Sequence, residues 1–415
     1  MHIRFVLWGV VAVVVFGVAL PEAQAQNNQF TERAFVASPS VRGMGDAGVA
    51  LPGPERGFFY NPAHLPHVAS HFTIMGLQGA VSPSLDDNIR FLNQQLGPAV
   101  AEAGAPSGET LATLRREAEA LQARPGRGAA SVLLPNFVYA PGALAIGGGV
   151  FAKTATNYRL ESEEGMGASV WALNRTDLMA VVALGLDLRV IGLPGLTVGA
   201  TGTQTRRYLA FKHERLSSFQ QTEYAVQLQG GTFQLDGGVT YRLDTLMSMP
   251  GALRVGAAVY DVLPSGYDYV SGGAGRLPFL NDIIDTPTNG GGATPAETRR
   301  ARQQFALAPS YRVGVAYDRA RLGGLEHVGV AVDYQGTREG EPRALASKLH
   351  AGVRARVLGP IELRAGVSAG YPTGGVGIEW RAVHLDYALY GMEEGRQFRQ
   401  RRAYVHTARL LLRLE

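Results

Sequence analysis

The sequence predicts an all-β protein, a transmembrane antiparallel β-barrel of about 14 strands with its N-terminal segment in the lumen. Three observations lead to this prediction. Apolar and polar residues alternate with period two along one segment after another. The connections between these segments are short and long in turn. Glycine contributes 53 of the 415 residues, about twice its usual share of roughly 7%.

The composition excludes several other classes of protein. Hydrophobic residues make up 46% of the chain, which is too many for a disordered chain. The absence of cysteine excludes disulfide frameworks, thiol catalysis and thiolate-bound metals. The pI of about 9.3 comes mainly from scattered arginines rather than from a basic stripe, so we expect no nucleic-acid partner.

The first 25 residues have the pattern of a cleaved secretory signal peptide. A positive start at His2 and Arg4 precedes an apolar run from Phe5 to Leu20, and Ala23-Gln24-Ala25 fits the small-x-small rule for the cleavage site. A membrane anchor is the alternative, but a spanning helix needs about 20 apolar residues. We therefore expect export, with Gln26 as the first mature residue.

The body of the chain alternates along each predicted strand. Around Val353, the apolar set occupies every second position and the interleaved set contains Arg354. Because successive side chains in a strand point to opposite faces, each strand has one apolar and one polar, glycine-rich face. The apolar face of the segment after Ile361 is expected to continue through Val367 to Tyr371.

A soluble β-sandwich and a membrane barrel both produce such alternation. Three features favour the barrel. The strands are about 9–13 residues long, which suits a tilted membrane crossing. Charged residues recur on the polar face of nearly every strand, as a wet lumen requires. Aromatic residues such as Tyr311, Tyr317 and Trp380 lie near strand ends, as in interfacial girdles.

The predicted domains are a signal peptide over 1–25, an N-terminal segment over 26–69 and a barrel over 70–415. Outer-membrane barrels have short periplasmic turns and long extracellular loops, and an even strand number places every long connection outside. Residues 110–124 within the first loop are expected to form an amphipathic helix. The predicted long loops are 81–130, 155–176, 208–231 and 263–307.

The segment before the first strand carries two motifs. They are Arg42-Gly43-Met44-Gly45-Asp46-Ala47-Gly48-Val49-Ala50 and Phe58-Phe59-Tyr60-Asn61-Pro62-Ala63. These motifs resemble the N-terminal signature of the outer-membrane barrels similar to the fatty-acid transporter FadL, and most of all its PorV/PorQ branch. Stretches near the C-terminus, such as Gly370-Tyr371-Pro372-Thr373-Gly374-Gly375, resemble the same family.

The resemblance implies a fourteen-strand barrel plugged by an N-terminal lumenal hatch over residues 26–69. It implies passage of hydrophobic small molecules past the hatch, or, as in PorV, a non-transporting scaffold that holds secreted proteins at the cell surface. The sequence leaves both functions open. The residues expected in the hatch and along the ligand path are Arg42, Gly43, Gly45, Phe58, Phe59, Tyr60, Asn61, Pro62 and Ala63.

The sequence contains only weak indications of a dinucleotide site, a metal site or an enzyme active site. Gly43 to Gly48 matches G-x-G-x-x-G but lacks the strand and helix that a dinucleotide site needs. His64, His67 and His71 have a spacing that could gather a metal, yet Pro66 interrupts any helix. No Ser-His pairing for a lipolytic enzyme is visible. We expect no enzyme, no cofactor and no metal.

Clusters of arginine are expected on the outside of the cell, where lipopolysaccharide phosphates are possible partners and a solvated surface is the alternative. The other expected partners are outer-membrane lipid, a hydrophobic ligand or a secreted protein, and the barrel-assembly machinery. The arginines concerned are Arg299, Arg300, Arg302, Arg396, Arg399, Arg401 and Arg402.

Overall fold

The computed structural model describes the barrel and much of what precedes it. The described residues are 35–54, 56–96, 98–99, 108–122, 124–163, 167–215, 226–245, 250–263, 266–271, 295, 299, 309–337, 345–357, 359–393 and 402–414. The predicted signal peptide lies outside them.

Within these residues, fifteen strands form one antiparallel sheet. They are β1 His71–Val81, β2 Gly126–Tyr139, β3 Leu144–Glu163, β4 Gly167–Asp187, β5 Leu196–Arg215, β6 Val226–Arg242, β7 Ala252–Tyr260, β8 Val270–Ser271, β9 Ser310–Leu322, β10 Leu325–Thr337, β11 Leu349–Val357, β12 Ile361–Ser368, β13 Tyr371–Trp380, β14 Val383–Glu393 and β15 Arg402–Leu414. The two-residue β8 pairs with β6. The other fourteen strands close into a barrel because β1 pairs with β15 and β5 pairs with β6.

The predicted barrel is confirmed, and so is the facing predicted around Val353. Val353 is 47% exposed on the outside of β11, whereas Arg364 on the inside of β12 is 8% exposed. Large apolar side chains such as Leu184, Val332 and Leu363 form an exposed outer surface around the barrel. An outer apolar band on a closed antiparallel barrel is the architecture of a bacterial outer-membrane protein.

Buried ion pairs hold the polar inner face together. Arg364 and Arg409 both donate to Asp386, with Arg409 Nη2 lying 3.0 Å from Asp386 Oδ2. Arg207 donates to Asp177 through Nε at 2.6 Å and Nη2 at 3.0 Å. These buried charges are therefore compensated by groups of opposite charge, as burial requires.

Two predicted long loops are wrong. β3 runs to Glu163 and β4 starts at Gly167, so most of the predicted loop 155–176 is strand. β5 runs to Arg215 and β6 starts at Val226, so the predicted loop 208–231 is equally shortened. Polar residues such as Thr156 and Asn174, which hydrogen-bond to each other across β3 and β4, interrupt the apolar face there without ending the strands.

The predicted facing of Tyr371 is also wrong, since Tyr371 is 3% exposed and faces inward. Ala369 and Gly370, with φ values of 50° and 84°, form the tight turn between β12 and β13. A two-residue turn of this kind fixes the pairing of the two strands. Tyr371 consequently pairs with inward-facing Ser368 rather than continuing the outward face of β12.

The first long connection, between β1 and β2, contains helices at Ser84–Arg90, Phe91–Leu96 and Gly108–Gln122. The last confirms the predicted amphipathic helix, because Leu114 and Ala118 pack in one cluster with Leu160 and Val170 of β3 and β4. None of the helices in the described ranges is long and apolar enough to cross a membrane.

Candidate functional site

Residues 35–54 and 56–68, hereafter the lumenal segment, lie inside the barrel and follow its inner wall. The segment starts near β3, β1 and β15, where three wall side chains hydrogen-bond to it. These bonds run from Lys153 Nζ to Phe35 O at 3.3 Å, from Gln78 Nε2 to Ala37 O at 2.8 Å and from Arg409 Nη2 to Ser38 Oγ at 3.0 Å.

The segment then passes the strands in reverse order and meets an inward-facing glycine on most of them. A Cβ in place of the glycine hydrogen would collide with the segment at all of these positions except Gly375, where it would lie 3.2 Å from Gly43 Cα. The contacts are Gly43 with Gly375 of β13, Met44 and Gly45 with Gly366 of β12 and Gly352 of β11, Val49 with Gly314 of β9 and Gly256 of β7, Asn61 with Gly238 of β6, Pro62 with Gly199 of β5, and Pro66 with Gly185 of β4. We call these wall residues the glycine track.

The glycine track brings the backbone of the segment against the backbone of the wall. Gly45, in the lumenal segment itself, must also be glycine. Its φ is 67°, and a Cβ there would collide with the carbonyl oxygens of Ala351 and Val367 in the wall. Glycine alone combines this conformation with so close an approach. The glycine-rich inner face predicted by the sequence is therefore largely a docking surface.

Charged groups fasten the middle of the segment to β9 and β10. Asp333 Oδ2 accepts from Gly48 N at 2.7 Å and from Val49 N at 2.9 Å. Arg312 Nη2 lies 3.1 Å from Asp46 Oδ2, and Arg42 Nη1 lies 3.5 Å from the same oxygen. Burial alone would raise the pKa of Asp46, but Arg42 and Arg312 outweigh it and lower that pKa to about 2.

The side chain of Asn61 links the backbone of the lumenal segment at Val49 to its backbone at Ala63. This side chain is completely buried. Nδ2 donates to Val49 O at 2.7 Å, and Oδ1 accepts from Ala63 N at 3.0 Å. Pro62 keeps Asn61 extended, with φ −156° and ψ 108°, so that Asn61 caps the 3₁₀ helix Pro62–His67.

An apolar cluster occupies the opposite side of the lumen. The rings of Phe58 and Phe59 meet Phe151 of β3 with centroid distances of 5.9 and 5.2 Å. Tyr60 and Leu65 belong to the same cluster. The segment and the wall thus share an apolar, aromatic surface in this part of the lumen, of the kind that lines hydrophobic binding sites.

The three histidines do not come together. His64 Nε2 lies 3.3 Å from Gly48 O, His67 Nε2 lies 2.9 Å from Thr197 Oγ1, and His71 Nδ1 lies 3.0 Å from Ala69 O. Within the described ranges no three His, Asp or Glu side chains form a possible metal site. Burial, and then the charge of Arg56, lower the pKa of His64 to about 3.

The remaining predicted residues fall into two groups. Arg42, Gly43, Gly45, Phe58, Phe59, Tyr60, Asn61, Pro62 and Ala63 all lie in the lumenal segment. Of the predicted lipopolysaccharide contacts, Arg299 and Arg402 are described and exposed. Arg300, Arg302, Arg396, Arg399 and Arg401 lie outside the described residues.

Sequence reasoning missed the wall side of the site. The alternation along β9 and β10 places Arg312 and Asp333 on the inner face. Nothing in the sequence indicates that Asp333 contacts Gly48 or that Arg312 contacts Asp46. The recurrence of glycine on inward positions, as at Gly352 and Gly366, was a usable signal for close backbone contact.

No protein-family model matches the sequence, and no curated protein is similar to it. Solved structures are similar in fold. The toluene transporter TbuX of Ralstonia pickettii has a TM-score of 0.52 at 14% identity, over 91% of this chain and 97% of that one. The deltaS2 mutant of the monoaromatic hydrocarbon channel TodX has a TM-score of 0.50 at 12% identity, over 90% and 96%. The chain thus has the fold of these transport barrels over almost its full length.

Proposed function

We propose that this protein is an outer-membrane barrel for the passage of hydrophobic small molecules, with the lumenal segment as its hatch. The observation that carries the proposal is the aromatic cluster of Phe58, Phe59 and Phe151. It places apolar side chains of the segment against the barrel wall, inside a lumen whose wall also carries buried ion pairs.

The fold comparison supports the same function. TbuX is a toluene transporter and TodX is a monoaromatic hydrocarbon channel. A ring of toluene size is similar to the phenyl groups that already pack in the cluster. An aromatic hydrocarbon is therefore the ligand class that we propose.

The location and partners form part of the proposal. The exposed apolar band suits outer-membrane lipid, and the exposed Arg299 and Arg402 suit lipopolysaccharide phosphates. A cleaved signal peptide and the barrel-assembly machinery provide the route to that membrane. The PorV-like secretion scaffold stays a prediction from the sequence resemblance.

Dye uptake by whole cells tests the function, because intact lipopolysaccharide excludes hydrophobic dyes. A strain lacking such barrels is compared with and without this protein, using the aromatic dye N-phenylnaphthylamine. We expect faster initial uptake with the protein and unchanged sensitivity to the large polar antibiotic vancomycin. Dye uptake equal to the empty strain, with folded barrel present, would contradict the proposal. Increased sensitivity to vancomycin would mean an unselective leak instead.

A further inference from the structure

A groove of about 400 Å³ lies on the outer, lipid-facing side of the barrel wall, across β13, β14, β15 and β1. Its floor is Ala408 of β15, which pairs with Gly79 of β1. A Cβ at Gly79 would meet nothing within 4 Å, so the surface beside the floor is open. The groove exists because two small residues occupy outward positions next to the larger pair Leu77 and Leu410.

The walls of the groove are hydrocarbon. Leu385 and Leu410 pair across β14 and β15, and Tyr387 pairs with Ala408. The Tyr387 hydroxyl lies 2.8 Å from His406 Nδ1, so the polar end of this side chain already has a partner. The groove therefore suits an alkyl chain, which makes no hydrogen bonds.

The groove leads toward an exposed arginine at one end of the barrel. Ile378 lines the groove, and Trp380, two residues farther along the same face of β13, is 65% exposed. Arg381 follows in the turn between β13 and β14, and its guanidinium carbon lies 5.7 Å from the centroid of the Trp380 ring. This is the end of the barrel with the short turns, which is the periplasmic end in outer-membrane proteins.

The length of the groove matches one leaflet of the membrane. Ala408 pairs with Tyr387, and Trp380 pairs with Val383. Val383 and Tyr387 lie four residues apart on β14, or about 14 Å of strand. One leaflet provides about 15 Å of hydrocarbon, half of the usual core thickness. The groove thus stays within the leaflet at the short turns, and this leaflet of a bacterial outer membrane consists of phospholipid.

We propose that the groove and Arg381 form a binding site for one phospholipid of the periplasmic leaflet. An acyl chain fills the groove from Ile378 to Ala408. The planar guanidinium of Arg381 binds the phosphate, and Trp380 lies at the boundary between the two, where aromatic girdles are found. The site is outside the lumen and does not depend on the proposed passage of solutes.

Retention of lipid through purification tests the groove. Ala408→Phe fills its floor, and Ala365→Phe is the matched control, because Ala365 is an exposed position of β12 outside the groove. Each protein is extracted from outer membranes in mild detergent, and its bound lipid is identified by native mass spectrometry. We expect one phospholipid per barrel in the natural protein and in Ala365→Phe. Ala408→Phe should retain about tenfold less, since loss of two buried methylene groups already has that effect.

Three results of this measurement would overturn the proposal. They are equal retention by Ala408→Phe and Ala365→Phe, a natural protein that retains no lipid, and a natural protein that retains lipopolysaccharide in place of phospholipid. The last result would assign the groove to a lipid of the opposite leaflet.

Fluorescence quenching tests the headgroup contact in a membrane. Trp8 belongs to the predicted signal peptide and Trp171 is buried, so quenching by lipid reports Trp380. The protein is reconstituted into phosphatidylcholine vesicles that contain equal small fractions of brominated phosphatidylglycerol or brominated phosphatidylcholine. We expect about fivefold tighter binding of phosphatidylglycerol at Trp380, the effect of one arginine near a membrane surface, because the choline cation competes for the phosphate.

Two arginine variants decide whether Arg381 causes this preference. Arg381→Gln should bring the two lipids to equal quenching. Arg321→Gln, which changes an exposed arginine on the turn between β9 and β10, should leave the preference as it is. A preference that survives Arg381→Gln, or that Arg321→Gln removes as well, would overturn the assignment of the phosphate to Arg381.

Discussion

Asn61→Ala should loosen the lumenal segment while leaving the barrel intact. Asn61 is completely buried, and its side chain satisfies Val49 O and Ala63 N at 2.7 and 3.0 Å. Alanine leaves both backbone groups without that partner, at about 1–3 kcal/mol each. We expect the free energy of opening to fall by about 2–4 kcal/mol in total, with some relaxation of neighbours.

Hydrogen exchange measures this change directly. Because about 1.4 kcal/mol corresponds to a factor of ten, amides near Val49 and Ala63 should exchange about 30- to 1,000-fold faster in the variant. Asn93→Ala is the matched control, since Asn93 is exposed on the helix Phe91–Leu96. Unchanged hydrogen exchange around Val49 in a correctly folded Asn61→Ala barrel would show that the hydrogen bonds of Asn61 do not stabilise the lumenal segment.

Three further predictions follow from the same structure. Val353→Arg places a charge on the lipid face and should cost about 2–4 kcal/mol near the bilayer midplane. Arg354→Val should assemble better, and equal yields of heat-modifiable barrel would show that the facing is wrong. Asp46→Asn leaves Arg42 and Arg312 without their shared carboxylate and should destabilise the closed segment by about 3–5 kcal/mol. Asp86→Asn, which breaks the exposed pair with Arg90, should change stability by no more than about 1 kcal/mol. Equal hydrogen-exchange rates of the lumenal segment in these two variants would contradict a stabilising role for the buried ion pairs of Asp46. The lowered pKa of His64 means that the released segment binds a proton more readily than the docked one. Stability of docking should therefore be lost as pH falls from 6.5 toward about 3, and exchange corrected for intrinsic rates should depend less on pH in His64→Gln.

The barrel could be predicted because the membrane imposes a strict local rule. Each crossing strand turns one face to lipid, so that Val353 and Arg354 reveal their facing by identity alone. The rule ends where the membrane ends. β3 runs to Glu163 and β4 begins at Gly167, and polar residues such as Thr156 and Asn174 interrupt the apolar face there, so that the sequence predicts a loop instead.

The lumenal segment was predictable in part. Asn61-Pro62 indicates a capped turn because proline restricts the residue before it. The partners of Asp46 and Gly48 could not be predicted, because Arg312 and Asp333 are more than 260 residues away along the chain. Such contacts depend on how fourteen strands are staggered, which local alternation does not determine.

The central claim is that the lumenal segment closes the barrel to solutes. Single-channel conductance in planar bilayers tests it most directly, by comparing the full chain with a variant lacking residues 30–63. We expect the full chain to conduct ions poorly and the deletion variant, with the same heat-modifiable barrel, to form a large and stable aqueous pore. Equal conductance of the two proteins would contradict the claim that the lumenal segment forms a hatch.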